Sequence, residues 1–186
     1  IIKEEKKDKK KNILTVNVKF DQKKISSFLG KNSFSYVDVA NISLTLLPVL
    51  IKKKEVFIFS ENFFYNNWLS SDNKKNTDDV LINYNLALEN IEDLQYINFN
   101  KENLELIDVK KLTAFDEIEN YVFLLIYFTD NKLKAFIRTY IKNNEIDKNL
   151  NLKIYPGDEK KTYQEAILTL KDEITQIWKS QNLIDV

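Results

Sequence analysis

Tyr121 to Phe128 are eight apolar residues in succession. A strand sends alternate side chains to opposite faces, so a strand without polar alternation must be covered on both. This run is therefore expected to be the central strand of a sheet. Thr129-Asp130-Asn131-Lys132 follows with turn chemistry, after which Leu133, Ala135 and Ile137 alternate with Lys134, Phe136 and Arg138. Leu150, Leu152 and Ile154 repeat the alternation, and the three segments read as an antiparallel meander.

Pro156-Gly157 ends the sheet pattern. Thr162 and Glu165 then stand at capping-box spacing ahead of Tyr163, Ala166, Ile167, Leu170, Ile174, Ile177 and Trp178. Those seven side chains make one stripe at helical period, which predicts a long C-terminal amphipathic helix packed on the sheet.

The amino-terminal half is read in the same terms. Ser43 to Ile51 is an aliphatic run, and Val56 to Phe59 follows after a gap that suits a hairpin. Pro48 cannot donate a ladder hydrogen bond, so it is expected at a strand start, an edge or a bulge. Ser60 reads as the cap of a short aromatic helix over Glu61 to Leu69, with Phe64 and Trp68 one turn apart. Ser70 to Asp79 reads as a loop, Val80 to Leu88 as a strand and Asn100 to Glu119 as a helix through Leu104, Ile107, Leu112, Phe115 and Ile118. Nearer the start, Leu14 to Phe20 alternates like a strand, and Asp21 caps a helix carrying Ile25, Phe28 and Leu29 up to Gly30. Residues 1–12 are dominated by charge without periodicity and predict a solvated tether; residues 13–186 predict a single α/β domain, with a mixed, largely antiparallel sheet and helices packed on it.

Composition narrows the chemistry. The chain has no histidine and no cysteine, which removes imidazole bases, Ser-His-Asp arrangements, thiolate nucleophiles and the common zinc ligands. Its two glycines, Gly30 and Gly157, cannot build a dinucleotide fingerprint or a phosphate-binding loop. No cofactor is expected. Carboxylate chemistry survives this elimination, and Glu89, Glu92 and Asp93 are the tightest acidic group, an alternative hydrolase site if two of them face each other across a cleft. Asp72, Asn73, Asp78 and Asp79 offer oxygens without the spacing of a calcium loop. Twenty-eight basic residues balance twenty-eight acidic ones, so no overall field draws the chain to nucleic acid or anionic lipid. Single-stranded nucleic-acid binding through rings beside Lys52 to Lys54 is the weakest alternative, and no nucleic acid is expected as a partner. No run approaches the roughly 20 apolar residues of a membrane span.

Leu47-Pro48-Val49-Leu50, then Phe57 to Asn62, then Asn67-Trp68, resembles the proteobacterial family called domain of unknown function 2066. Leu88 to Asp93 is similar to that family's acidic element, with Glu89 where the family has glycine. Element order is also similar to the amino-terminal domain of the Tol-system β-propeller protein. The resemblance implies an export signal upstream of Ile1, a periplasmic or envelope location, and a non-catalytic domain that binds or scaffolds another envelope protein. Phe63, Phe64, Tyr65 and Trp68 are the expected contact surface, provided that their rings are exposed.

Overall fold

The computed structural model of the chain describes residues 2–8, 13–18, 42–71 and 82–182. The chain divides into two compact units, Ile1–Asp38 with Asp185–Val186, and Val39–Ile184. In the first, β1 (Ile2–Asp8) pairs antiparallel with β2 (Ile13–Val18), Asp8 opposite Ile13, with a register shift between Ile2 and Glu4. Residues 2–8 of the expected tether are thus a strand, paired with the one that the sequence places from Leu14 onward. The reason is that a ladder is made by main-chain groups, which a charged segment supplies as well as an apolar one. The expected helix after Asp21 and the oxygen-rich loop at Asp72 to Asp79 lie outside the described residues.

The second unit runs β3 (Ser43–Lys52), β4 (Glu55–Ile58), α1 (Phe63–Asn67), β5 (Asn83–Leu86), α2 (Ile91–Phe99), β6 (Tyr121–Thr129), β7 (Lys132–Ile141), β8 (Asn144–Leu152) and α3 (Glu159–Asn182). Its sheet has six strands in the order β4-β3-β6-β7-β8, with β5 also on β3. β3 is parallel to β5 and β6, and the other pairings are antiparallel. The mixed, largely antiparallel sheet and the meander β6-β7-β8 are those expected, and β6 is internal with Tyr121 to Ile126 buried. Among the described residues no helix is long and apolar enough to cross a membrane.

Two hairpins turn without glycine. Lys53 and Lys54 join β3 to β4, and Lys142 and Asn143 join β7 to β8, all four with positive φ. Two-residue loops of this hand match the twist of the flanking strands, so the left-handed backbone is retained although lysine is a poor residue for it.

Pro48 lies inside β3 rather than at its start. β5 pairs with Ser43 to Leu46 and β4 with Val49 to Lys52, so both share one edge of β3 and leave a gap at Pro48. The Pro48 carbonyl points into that gap, where it accepts from Asn62 Nδ2 at 2.9 Å. A strand residue's N–H and C=O point the same way, so the missing N–H removes nothing from the β3–β6 ladder.

Each face of the sheet has its own cover. Leu47, Val49, Tyr121, Phe123, Leu125 and Phe136 pack with Ile97, Leu104, Ile107, Val109, Leu112 and Phe115. Segment 88–119, which crosses from β5 to β6, therefore covers one face. The pleat sends the alternate side chains to the other face, where α3 lies: Lys52 bonds Glu159, Phe128 meets Tyr163 and Lys148 pairs with Glu173. The apolar stripe of α3 is buried as expected, but the helix starts earlier than Thr162. Asp158 is the cap, its Oδ1 accepting the Lys161 N–H at 2.9 Å. Thr162 instead accepts the Tyr155 N–H at 2.9 Å and donates to the Asp158 carbonyl at 2.9 Å.

Two expectations fail on the opposite cover. Asn100 to Glu119 is not a helix but three separate 3-10 turns, Leu104–Leu106, Val109–Lys111 and Thr113–Phe115. Val109, Leu112 and Phe115, all buried, recur every third residue, which suits three residues per turn better than 3.6. Helix α2 occupies the stretch just before, read from the sequence only as an acidic element. Of the strand expected over Val80 to Leu88, the described part begins at Ile82, and within it only Asn83–Leu86 is in the ladder.

Candidate functional site

The aromatic segment is organised by Asn62, which is fully buried. Its Oδ1 accepts the Phe64 N–H at 2.9 Å, capping α1 in place of Ser60, and its Nδ2 donates to the carbonyls of Pro48 and Phe57 at 2.9 and 3.2 Å. A buried amide persists only when bonded, and here the bonds fasten α1 to β3. Phe64 and Trp68 are consequently driven inward, Phe64 against Tyr163 at 5.1 Å and Trp68 against Tyr84 at 5.5 Å between ring centres. Phe63 is half-buried on the same Tyr163, and half-buried Tyr65 donates its hydroxyl to the Ala87 carbonyl at 2.8 Å. None of the four rings is exposed, so the expected contact surface is not on them. A one-turn aromatic pair reads alike from sequence whether it faces a core or a partner.

Lys171 is buried beside the apolar stripe of α3, and nothing in the sequence sets it apart from the exposed lysines of that helix. Its ammonium donates to the Ser71 carbonyl at 2.6 Å and lies 5.8 Å from the Trp68 ring and 5.9 Å from that of Tyr84. Ring faces are electron-rich, so a buried cation between them is partly compensated for its lost water. Burial, with Asp172 adding to it, raises the pKa of the Tyr84 hydroxyl and keeps it protonated. The cluster joins α3 to the end of α1.

The acidic trio is dispersed among different tasks. Asp93 is buried, and its Oδ1 accepts the Thr113 N–H at 2.7 Å and the Thr113 hydroxyl at 3.0 Å. Oδ2 accepts the Ala114 N–H and the Asn90 amide, each at 2.8 Å. Asn90 in turn accepts the Asp93 N–H at 2.7 Å, a reciprocal cap that starts α2. With four donors on its two oxygens, Asp93 is a clasp between α2 and the last 3-10 turn rather than an acid or base. Glu92 is exposed, and exposed Glu89 accepts from Ser60 Oγ at 3.3 Å. The hydrolase alternative thus loses Asp93 as a reacting group. Among the described residues no group of three or more acidic side chains is placed to hold a metal ion.

A second clasp holds the same layer from the sheet side. Arg138 Nε and Nη2 donate to the two Asp147 oxygens at 2.8 and 2.7 Å, while Nη1 and Nη2 reach the carbonyls of Ile107 and Glu105, each at 3.2 Å. Beside it, Phe115, Tyr121 and Tyr140 stack in near-parallel planes at 4.4 and 5.1 Å. Burial, followed by the charge of Glu145, pushes the Tyr121 hydroxyl up to about 12.

So secured from within, the layer is unusual on its outside. Phe99 is 90% exposed, Leu88 82%, Leu106 81% and Ile91 65%, with Ile118 also exposed. Five of the six exposed large apolar side chains among the described residues therefore belong to segment 88–119, the sixth being Leu69. On α2 the buried side carries Asp93 and Ile97, whereas Ile91, Gln95 and Phe99 recur every fourth residue on the outer side. The sequence signal was present in α2's two opposed apolar positions, Ile97 and Phe99, but nothing local says which of them meets water.

Compared with family models, with curated proteins and with solved structures, the chain finds no match in any of the three.

Proposed function

We propose that the Val39–Ile184 unit is a non-catalytic protein-binding module of the cell envelope, and that it engages its partner through the outer side of segment 88–119. The observation that carries this reading is the collection of Leu88, Ile91, Phe99 and Leu106 in water on one layer. Single exposed apolar residues are ordinary on protein surfaces, but a set concentrated on one element is the mark of a contact surface. The fold does not need them, since Asp93 and Arg138 already hold the layer with five hydrogen bonds, three from Thr113 and Ala114 to Asp93 and two from Arg138 to the Ile107 and Glu105 carbonyls. The envelope location and the choice of an envelope protein as partner rest on the resemblance to the domain of unknown function 2066 family.

The test is photo-crosslinking in an envelope extract of the source organism. A photoreactive residue replacing Phe99 is expected to give discrete protein adducts, and the same residue replacing Gln164 on the exposed side of α3 to give none. Equal labelling from both positions, or none from Phe99, counts against the reading.

A further inference from the structure

We infer that the segment which docks on this layer is a cationic amphipathic helix, with apolar side chains flanked by lysine or arginine. The inference rests on the protein-binding reading and adds the chemistry of the partner. Its basis is charge. The chain as a whole is neutral, yet residues 88–119 contain Glu89, Glu92, Asp93, Glu102, Glu105, Asp108, Asp116, Glu117 and Glu119 against only Lys101, Lys110 and Lys111. Nine acids and three bases leave this layer at a formal −6. Helix α3, on the other face of the sheet, balances Glu159, Glu165, Asp172 and Glu173 with Lys160, Lys161, Lys171 and Lys179.

Of the nine acids only Asp93 is buried. None of the other eight is in an ion pair among the described residues, where Lys52, Arg138 and Lys148 are matched with Glu159, Glu145, Asp147 and Glu173. Exposed like charges within a Debye length of about 10 Å repel one another, and a basic partner relieves that repulsion as it docks. The same field turns away a second copy presenting this face, an anionic bilayer and nucleic acid.

Shape narrows the partner further. Ile91 and Phe99 stand eight residues apart on α2, a span of about 12 Å at 1.5 Å per residue, with Gln95 between them and Glu92 on the same side. Leu88, three residues before Ile91, and Leu106, in the 3-10 turn that follows the helix, are exposed on the same segment. A span of that length accepts two to three turns of a facing helix, the helix-in-groove mode read as anchors every three to four residues. Glu89 near one end and Glu102 near the other are placed to meet its basic flanks.

The test uses the full chain and two synthetic helical peptides of roughly four turns, one of leucine and lysine and one with glutamate replacing every lysine, followed by fluorescence anisotropy. The lysine peptide is expected to bind at least about tenfold more tightly than the glutamate peptide, and to weaken about tenfold or more as salt shortens the Debye length from about 10 Å to about 3 Å. Reversing charge with Glu89→Lys, Glu92→Lys and Glu102→Lys should abolish that preference, while Asp130→Lys with Glu165→Lys, both exposed elsewhere, should preserve it. Ile91→Ser with Phe99→Ser should weaken the lysine peptide about tenfold. Equal binding of the two peptides, or a preference untouched by the charge reversal, overturns the cationic partner. If crosslinking at Phe99 nevertheless gives discrete adducts, the protein-binding reading survives that result. Undiminished binding by the Ile91→Ser, Phe99→Ser double variant removes the face itself, and both readings fall together.

Discussion

Helix α3 and segment 88–119 cover opposite faces of one sheet, yet α3 leaves none of its large apolar side chains exposed while 88–119 leaves five in water. The two layers are also held differently. α3 is a continuous 24-residue helix whose stripe, from Tyr163 to Trp178, does the packing, and polar links such as Lys52 to Glu159 stand at its margin. Segment 88–119 is one short helix and three 3-10 turns, anchored by a buried row of apolar side chains and by the Asp93 and Arg138 clasps. α3 turns one apolar stripe inward and keeps its outer side polar, with Lys161, Gln164, Glu165 and Asp172, whereas α2 carries Ile91 and Phe99 on its outer side. An irregular layer fixed by point attachments is free to present apolar side chains outward, which is what a binding surface requires.

The largest expected effect lies in the α3 layer. Ile174→Ala should cost about 2–5 kcal/mol by chemical denaturation, because the side chain is fully buried and its methyl groups leave a cavity. A negligible shift in midpoint would mean that the stripe is not the seam that holds this face. Asp93→Asn should cost about 2–3 kcal/mol, since an amide oxygen and nitrogen cannot accept all four donors. Its signature is local as well. Hydrogen exchange should quicken at the Thr113 and Ala114 amides before it does in β6 or α3, and uniform acceleration would break the picture of a separately clasped layer.

Alkaline pH sharpens the comparison from another side. Tyr121 has a raised pKa in the folded state, so the native protein holds its proton after the unfolded chain has begun to lose it. Stability is therefore intact below about pH 10, and is lost progressively as pH rises towards the folded value of about 12. Tyr65, Tyr84, Tyr127 and Tyr163 are raised as well and add to the same loss, chiefly through burial. Tyr121→Phe should flatten part of that decline in an unfolding titration. An unchanged slope would show that the stack does not hold the phenol in its neutral form.

The smallest expected effect is the most telling for function. Phe99→Ser should change stability by no more than about 0.5 kcal/mol, as for an ordinary surface substitution. A thermal midpoint that drops as far as that of Ile174→Ala would place the ring within the core and remove the reason for assigning it to a partner.

How legible these layers were differs for the same physical cause. The strands β6, β7 and β8 and the stripe of α3 follow from alternation and from helical period, because each pattern is written within a single element and records which side is buried. The eight-residue run at β6 also announced that both faces would be covered. In 88–119 the pattern is set by contacts between elements. Asp93 takes Thr113, twenty residues away, as its donor, and Arg138 reaches the Ile107 and Glu105 carbonyls from β7. Neither partner leaves a mark near its own position. The aromatic segment shows the converse: the helix at Phe64 and Trp68 was readable, but its inward orientation follows from Asn62 bonding the carbonyls of Pro48, fourteen residues away, and of Phe57.

By itself the sequence determined the mixed sheet with its meander, the long amphipathic helix, and a chemistry without imidazole, thiolate or glycine loops. Each of these depends on local period or on residue types present or absent. Only the tertiary structure decided that β4 and β5 share one edge of β3 around Pro48, that Asp93 is consumed by main-chain donors, and that Phe99 faces water while Phe64 does not. Those outcomes are fixed by which element arrives over which face, and a residue's burial there is a property of its neighbours in space rather than of its neighbours in the chain.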